Sequence, residues 1–369
     1  MEIFIIFLIA GCIAYTAGVI IFFAALGRTR PGTSSEKPFV SVIIAARDER
    51  ESIGACLASI IDQDYSENCY EVIVVDDRST DGTKEVVDRF REAWSSLDAV
   101  RIDSVPEGVS SKKHALSRAI ERAKGEIILQ TDADCFPPCT WISGMVRGFE
   151  NGVGLVAGLA PYLKVPGALN SFVRHEYLWN AALSAGSIIL GNGTHASGRN
   201  LAFRKDIFKR LGGYGYTEKI LSGDDTLLLH RIQQIPDYRA ATMSDTSTHV
   251  YTYAPGDFRT FIRQRVRHMS TGKFFDPYLI AVGCAIYGFH ILLLMSFFLM
   301  CFSLKVFGVF IAVFLWKAIM DGLMAWRTSA VLGLEVQWRR LLINEVFLIL
   351  YMAVMPFLGF FVPVSWKEK

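Results

Sequence analysis

The sequence predicts an α/β domain with an open sheet, set between apolar helices long enough to cross a membrane. Three observations carry this reading. Apolar runs lie at both ends of the chain, the stretch between them alternates strand and amphipathic-helix patterns, and acidic residues collect where the strand patterns end. Of the 369 residues 51% are hydrophobic, while 38 Lys plus Arg nearly balance 36 Asp plus Glu, so charge does not point to nucleic acid as a partner.

The first apolar run, Ile3 to Leu26, carries no charge and follows an acid, Glu2, which favours a membrane anchor over a cleaved signal peptide. Pro277 to Leu304 contains no charged residue, only His290. A third span runs from about Val306 to Trp326 and a fourth from about Leu341 to Val364. Arg28, Arg30 and Lys37 follow the first span, and Arg327, Arg339 and Arg340 separate the third from the fourth. The positive-inside rule therefore puts both segments, and everything from Arg28 to Asp276, in the cytoplasm. The tail Lys367, Glu368, Lys369 then falls on the far side, against the same rule. Lys317 and Asp321, four apart, share one helical face of the third span, either as a mutually neutralised pair holding helices together or as a contact for a polar headgroup or substrate. Seven scattered Cys, with Cys135 and Cys139 lacking a second pair to complete a zinc site, read as reduced thiols in a reducing compartment.

Between the spans, "FVSVIIAA" (Phe39 to Ala46) reads as a buried strand, "ERESIGACLASIIDQ" (Glu49 to Gln63) as an amphipathic helix and "YEVIVVDD" (Tyr70 to Asp77) as a strand. "GTKEVVDRFREAW" (Gly82 to Trp94) and "KKHALSRAIERA" (Lys112 to Ala123) follow as helices, and "GEIILQTDAD" (Gly125 to Asp134) as a strand. This spacing implies parallel strands with crossover helices, and such sheets bind ligands at the carboxyl ends of their strands. Those ends hold Asp48 and Glu49, then Asp76 and Asp77, then Asp132 and Asp134. Gathered carboxylates repel one another unless cations or hydroxyl donors sit among them. A divalent, oxygen-loving ion bridging a substrate's phosphates suits Asp132 and Asp134, and a ribose or base suits Asp77. In "DDRSTDGT", Asp81 to Thr83 read as a turn and helix cap, which does not account for Asp76 and Asp77.

Taken in order, these motifs resemble a membrane-bound family 2 glycosyltransferase with the GT-A fold, over roughly Pro38 to Gly272. "VSVIIAARDE" resembles its first nucleotide-binding strand, with Asp48 where Asn is commoner and Glu49 beside it, and "VVDDRSTDGT" resembles the segment whose second acid, Asp77, contacts the nucleoside. "KKHALSRAIERAKGEIILQTDAD" is similar to the block that carries Lys112 toward the phosphates, Asp132 as donor contact and Asp134 as metal ligand, the two acids forming the metal pair. "ASGRNLAFRKDIFKRLGGY" resembles the acceptor-side loop and helix. "SGDDTLLLHRI" resembles the motif of the catalytic base, which aligns Asp225 with that base and Asp224 with a position usually held by Glu. "RQRVRH" resembles the Gln-x-x-Arg-Trp motif through Gln264 and Arg267, with His268 in place of Trp.

The resemblance implies a GT-A-type open mixed sheet with flanking helices plus one N-terminal and about three C-terminal transmembrane helices. It divides the chain into an anchor at 1–27, a cytoplasmic catalytic domain at 38–255, an amphipathic interface helix at 256–276 and a transmembrane region at 277–369. It further implies an inverting transfer from a nucleotide diphosphate sugar, with uridine as the default base and guanosine compatible, a manganese or magnesium cofactor, and a membrane lipid or growing glycan as acceptor. The expected location is integral to a membrane, the plasma membrane in a bacterium. Three spans after the catalytic domain are few for a secretion channel, which disfavours polysaccharide extension unless oligomers or channel partners complete a pore. A non-catalytic nucleotide-sugar-binding scaffold is the competing class, disfavoured by the intact acid set. A transporter is disfavoured by the large polar middle and the lack of repeats. Gly256 to Phe275 alternates aromatic and basic residues as a headgroup-layer helix would. "ALNSFVRHEYLWNAAL" (Ala168 to Leu183) fits the same role or a domain core equally. His175, His195 and His249 lack ligand spacing and read as ordinary histidines rather than metal ligands.

Overall fold

The computed structural model describes residues 1–362. The end of the fourth predicted span and the Lys367 to Lys369 tail lie outside the described residues. In chain order the elements are α1 (Glu2–Leu26), β1 (Val40–Ala46), α2 (Ile53–Ile61), β2 (Tyr70–Asp77), α3 (Thr83–Ala93), β3 (Leu97–Ile102), α4 (Ser111–Arg122), β4 (Ile127–Asp132), β5 (Cys135–Phe136), α5 (Trp141–Val146) and β6 (Val153–Ala157). They continue with α6 (Ala168–Ile189), β7 (Leu201–Arg204), α7 (Lys205–Arg210), α8 (Thr226–Gln233), β8 (Arg239–Thr242), β9 (Tyr251–Thr252), α9 (Phe258–Ser270), α10 (Pro277–Leu299), α11 (Leu304–Leu332) and α12 (Leu341–Phe361). The chain divides into a sheet unit, 29–163 with 187–253, and a helical unit, 1–28 with 164–186 and 254–369.

In the sheet unit seven of the described strands form a mixed sheet of order β3-β2-β1-β4-β7-β6-β8, and β5 pairs antiparallel with β9. β1 lies parallel to β2 and β4, and β2 parallel to β3, whereas β7 runs antiparallel to β4 and β6. The pattern-based expectation of parallel strands holds for β1 to β4, and the antiparallel β7, whose four residues carry no crossover signal, makes the sheet mixed, as the resemblance implied. The central strands are mainly apolar because helices cover both faces. Alternation sends Val42, Ile44, Val72 and Val74 to one side, against Ile53, Leu57 and Ile60 of α2 and Trp141 of α5. Ile43, Ile73, Val75 and Ile128 face the other side, against Leu116 and Ala119 of α4, Phe208 of α7 and Leu228 of α8. Each such buried aliphatic contributes roughly 1.5–3 kcal/mol. β3 escaped the sequence pattern because Asp98 and Arg101 interrupt it, as an edge strand tolerates. Ala133 and Asp134 lie in a turn rather than continuing β4.

Among the described residues four helices are long and apolar enough to cross a membrane, α1, α11 and the segments Pro277–Phe302 and Trp338–Phe361. α11 extends six residues past the predicted end of the third span, so Arg327 belongs to the helix and not to the connecting segment. The helix stops at Gly333, which takes the left-handed conformation (φ 65°). Arg327 is accommodated by laying its guanidinium over the Phe23 ring, 5.1 Å from the centroid. α6, equally readable as interface helix or core from sequence, is core over its helical-unit part. Phe172 meets the rings of Phe261, Phe347 and Tyr351, and His175, Glu176 and Leu178 are buried. Lys317 pairs with Asp321 at 2.5 Å and also with Glu345 of α12 at 2.8 Å. Tyr15 donates to Asp321 (2.7 Å) and His175 meets Glu345 (2.9 Å), so every charge in this cluster has a partner of this chain.

Candidate functional site

Strand register sets the frame of the site. Ala45 of β1 is level with Asp132 of β4, and Ala46 with Asp76 of β2, so the carboxyl ends of three adjacent strands deliver their acids to one edge. On the β2 side the loops after β1 and β2 are tied together. Asp48 N–H donates to Ser79 Oγ (3.0 Å), Thr80 N–H donates back to the Asp48 carboxylate (2.9 Å), and Glu49 N–H donates to Thr83 Oγ1 (2.8 Å). Asp48 and Arg78 both hold positive φ, 53° and 57°, a conformation that non-glycine residues adopt at a cost and that here fixes both loops. Glu49 accepts from Ser52 Oγ at 2.7 Å. An open cleft of about 470 Å³ is lined by Asp48, Glu49, Arg50, Glu51, Ser52 and Asp81.

Asp76 corrects one expectation. It accepts from Ser79 N–H (3.0 Å) and pairs with Arg101 (3.1 Å), so turn geometry and an edge-strand arginine account for it. Asp77 is held by Arg78 Nε at 2.8 Å, with Arg47 3.9 Å away. Neither arginine was singled out from sequence.

The second cluster joins α4, β4 and the start of α8. Lys112 Nζ lies 2.9 Å from Asp132 and 3.3 Å from Asp224, bridging the two acidic motifs. Gln130, two residues before Asp132 and on its face of β4, donates to Asp224 Oδ2 (3.1 Å). Asp225 caps α8, accepting from Thr226 N–H at 2.6 Å, and its other oxygen accepts from Gly198 N–H at 2.7 Å. A side chain at Gly198 would crowd this cluster, since a Cβ would stand 2.9 Å from Gln130 Nε2 and 3.1 Å from Asp224 Oδ2.

These contacts separate the acids electrostatically. Burial and then the neighbouring Asp224 charge push the Asp225 carboxyl above its ordinary range. Burial acts the same way on Asp224, but Lys112 and Lys113 overturn it and hold Asp224 below the usual range. Burial and then Asp132 raise Asp134, against the pull of Arg199. Lys112 is desolvated, yet Asp132 and Asp224 raise its pKa, so it is a fixed cation. Arg199, unremarked in the acceptor-side motif, also lies over the Tyr162 ring at 4.8 Å.

Asp132 and Asp134 present hard oxygen donors at a strand end and mutually unfavourable charge. Among the described residues no three or more His, Cys, Asp or Glu are grouped so that they alone could hold a metal ion. Such a pair fits a divalent ion that takes its remaining ligands from substrate phosphates and water. The histidines do not join it. His175 serves Glu345, His195 contacts Thr194 Oγ1 (3.1 Å), and burial lowers His249 to about 4.

The sheet unit thus brings together Lys112, Asp132, Asp224 and Asp225, with Asp134 in the turn after β4 and Asp48, Glu49 and Asp77 at the ends of β1 and β2. Gln264 and Arg267 belong to α9 of the helical unit. On that helix Arg265 is a buried cation, 2.5 Å from Glu176, while Gln264 lies 3.5 Å from Arg265 and Arg267 lies 3.4 Å from His268.

Residues 41–212 match the family described as "Glycosyl transferase family 2". Among known proteins, the chain is 31% identical over 193 residues to glycosyltransferase AglE of Haloferax volcanii, covering 52% of this chain and 60% of that one. It is 28% identical over 238 residues to the probable glycosyltransferase YdaM of Bacillus subtilis, covering 63% and 54%. A beta-monoglucosyldiacylglycerol synthase of Synechocystis is 32% identical over 122 residues, or 32% of this chain and 25% of that one. The chain therefore matches 60% or less of the length of these relatives. Among solved structures, mannosyltransferase PcManGT of Pyrobaculum calidifontis, in complex with GDP-Man and Mn2+, superposes with a TM-score of 0.62 at 22% identity, covering 96% of this chain and 99% of that one. That likeness is one of fold.

Proposed function

We propose that the chain, whose residues 41–212 match the family 2 glycosyltransferase model and whose fold is like that of a GT-A enzyme, is an inverting, metal-dependent enzyme transferring a sugar from a nucleoside diphosphate sugar to a lipid-linked acceptor at the cytoplasmic face of a membrane. The observation that carries this reading is the shared Lys112, which ties the acid pair suited to donor phosphates to the acid pair suited to proton removal.

In this reading Asp77 and the loop at Asp48 and Glu49 take the nucleoside, and Lys112 donates to phosphate oxygens that gain charge as the diphosphate departs. When bound, a manganese or magnesium ion held by Asp134 and Asp132 supplies positive charge against that diphosphate. Asp225, with a carboxyl raised toward neutrality, removes the acceptor hydroxyl proton as the oxygen attacks the anomeric carbon, and Asp224, ionised by its lysines, keeps the local field negative. Attack from the face opposite the leaving group inverts that carbon. Gln264 and Arg267 enter by motif resemblance, as phosphate-side contacts.

The membrane side follows from Arg28, Arg30, Lys37, Arg339 and Arg340, which all flank spans on the proposed cytoplasmic side. α9, with Arg259, Arg263 and Phe258 outward and Phe261 buried, has the character of a headgroup-layer helix. The name of the Synechocystis relative supports a lipid acceptor, and a growing glycan is the second choice. The uridine default and the GDP-Man named for the structural neighbour make both bases donors to test.

The test is nucleotide release by the detergent-solubilised full-length protein, offered UDP- and GDP-sugars with manganese or magnesium and a membrane lipid extract. Metal-dependent release with one donor, yielding a labelled product that partitions with lipid, is the expected result. Donor binding without release under any of these conditions would place the protein with non-catalytic scaffolds.

A further inference from the structure

Lys112 and Lys113 are neighbours in the first turn of α4, where cations oppose the helix dipole and propensity does not ask for them. About 100° of helical turn separates them, so they serve different surroundings. Lys112 reaches the acid cluster. Lys113 turns inward, only 1% exposed, and among the described residues meets no carboxylate in an ion pair. Its ammonium donates instead to three backbone carbonyls, Thr217 O at 2.7 Å, Ile220 O at 2.9 Å and Ser222 O at 3.0 Å, which uses all three of its protons.

Those carbonyls belong to one short segment that leads through Gly223 (φ 76°) directly into Asp224 and Asp225. Apart from the 3-10 turn Gly215–Lys219, the segment has no regular structure to fix its path. One further tie comes from the start of α4, where Ser110 N–H donates to Glu218 O at 2.8 Å. Burying a cation is costly unless something specific compensates, and here the compensation is the shape of this loop.

We infer that Lys113 is a positioning residue for transfer: it clamps the backbone of residues 217–222 and so fixes where Asp224 and Asp225 enter the site. The inference rests on the proposed role of Asp225. Lys112 and Lys113 then divide the work, the first compensating the acids' charge and the second setting their place. Because a misplacement of about 1 Å can cost roughly 10²-fold in rate, loss of the clamp acts on turnover rather than on donor binding.

The experiment uses full-length Lys113→Met, together with Gly223→Ala, which strains the same loop by a different route. For each, kcat and KM for donor turnover, affinity for UDP or GDP with manganese, thermal unfolding and amide hydrogen exchange are measured. The clamp predicts that both variants fold, bind nucleotide within about 3-fold of the parent, lose kcat by roughly 10²-fold, and gain exchange confined to residues 216–225. Unchanged exchange in that segment, or kcat within about 2-fold of the parent, would overturn it. If Lys113→Met fails to fold, Gly223→Ala decides by the same criteria. Should Asp225→Asn keep turnover, the reading of Asp225 fails by itself, and exchange in residues 216–225 alone then decides whether Lys113 is a clamp.

Discussion

The molecule holds two clusters in which lysine meets paired acids, and they are built on opposite terms. In the helical unit Lys317 lies between Asp321 and Glu345, with Tyr15 and His175 completing the contacts, and the side chains of Lys317, Asp321 and Glu345 are at most 1% exposed. In the sheet unit Lys112 bridges Asp132 and Asp224, which are 30% and 10% exposed, while Asp134 and Asp225 both sit above the ordinary carboxylate range. The first cluster satisfies itself. The second keeps negative charge in excess at an open edge, which an arriving divalent cation would relieve. Similar residues thus hold helices together in one place and, in the proposed reading, prepare chemistry in the other, and what differs is whether the cluster is complete without a ligand.

The comparison can be broken first at Asp134. Asp134→Asn should lower metal-dependent turnover by roughly 10²–10³-fold while leaving the melting temperature unchanged or higher, because it removes a charge that burial and Asp132 disfavour. Steady-state rates beside a melting curve would check both halves. In the other cluster the order reverses. Lys317→Met should cost about 3–5 kcal/mol of stability, by leaving Asp321 and Glu345 buried without a cation, and equilibrium unfolding in detergent measures it. Adding Asp321→Asn and Glu345→Gln to that variant should recover much of the loss, since a neutral cluster no longer needs the lysine.

A smaller effect sharpens the open cluster. Gly198→Ala should reduce kcat by about 10-fold, because its Cβ would press on Gln130 and Asp224 while the peptide N–H still serves Asp225. The mildest test is pH. In the proposed reading transfer needs ionised Asp225, whose pKa is raised, so the acid limb of kcat should lie above the usual Asp value of about 3.9. On the alkaline side burial lowers Lys113 to about 8, opposed by Asp224, Asp225 and Glu218 and assisted by Lys112. Above that pH the neutral amine has one proton fewer for its three carbonyls and kcat should decline. The stability contribution of this group runs the other way. The unfolded chain still binds the proton up to about 10.4, so stability from Lys113 rises between pH 8 and that value, and a pH series of melting curves separates the two.

Much of this was legible along the chain. Continuous apolar runs located β1, β2 and β4, and the acids after them are where register brings three strand ends together. Lys317 and Asp321 could be paired by helical spacing alone. What stayed hidden depends on contacts distant in sequence. Glu345 reaches Lys317 across 28 positions, Gln130 reaches Asp224 across 94, and Lys113 reaches its carbonyls across more than 100. Gly198 gave no local signal because its value lies in the space its missing side chain leaves. Asp76 misled for the complementary reason, since its partner Arg101 sits on an edge strand whose charges masked it.

The measurement to make is of nucleotide binding and donor turnover side by side for the parent protein and Asp225→Asn, in the same detergent with manganese. If the open cluster is a catalytic site with Asp225 as its base, binding stays within about 3-fold and turnover falls by 10²–10⁴-fold. Turnover that survives the substitution, or binding that disappears with it, would contradict that assignment.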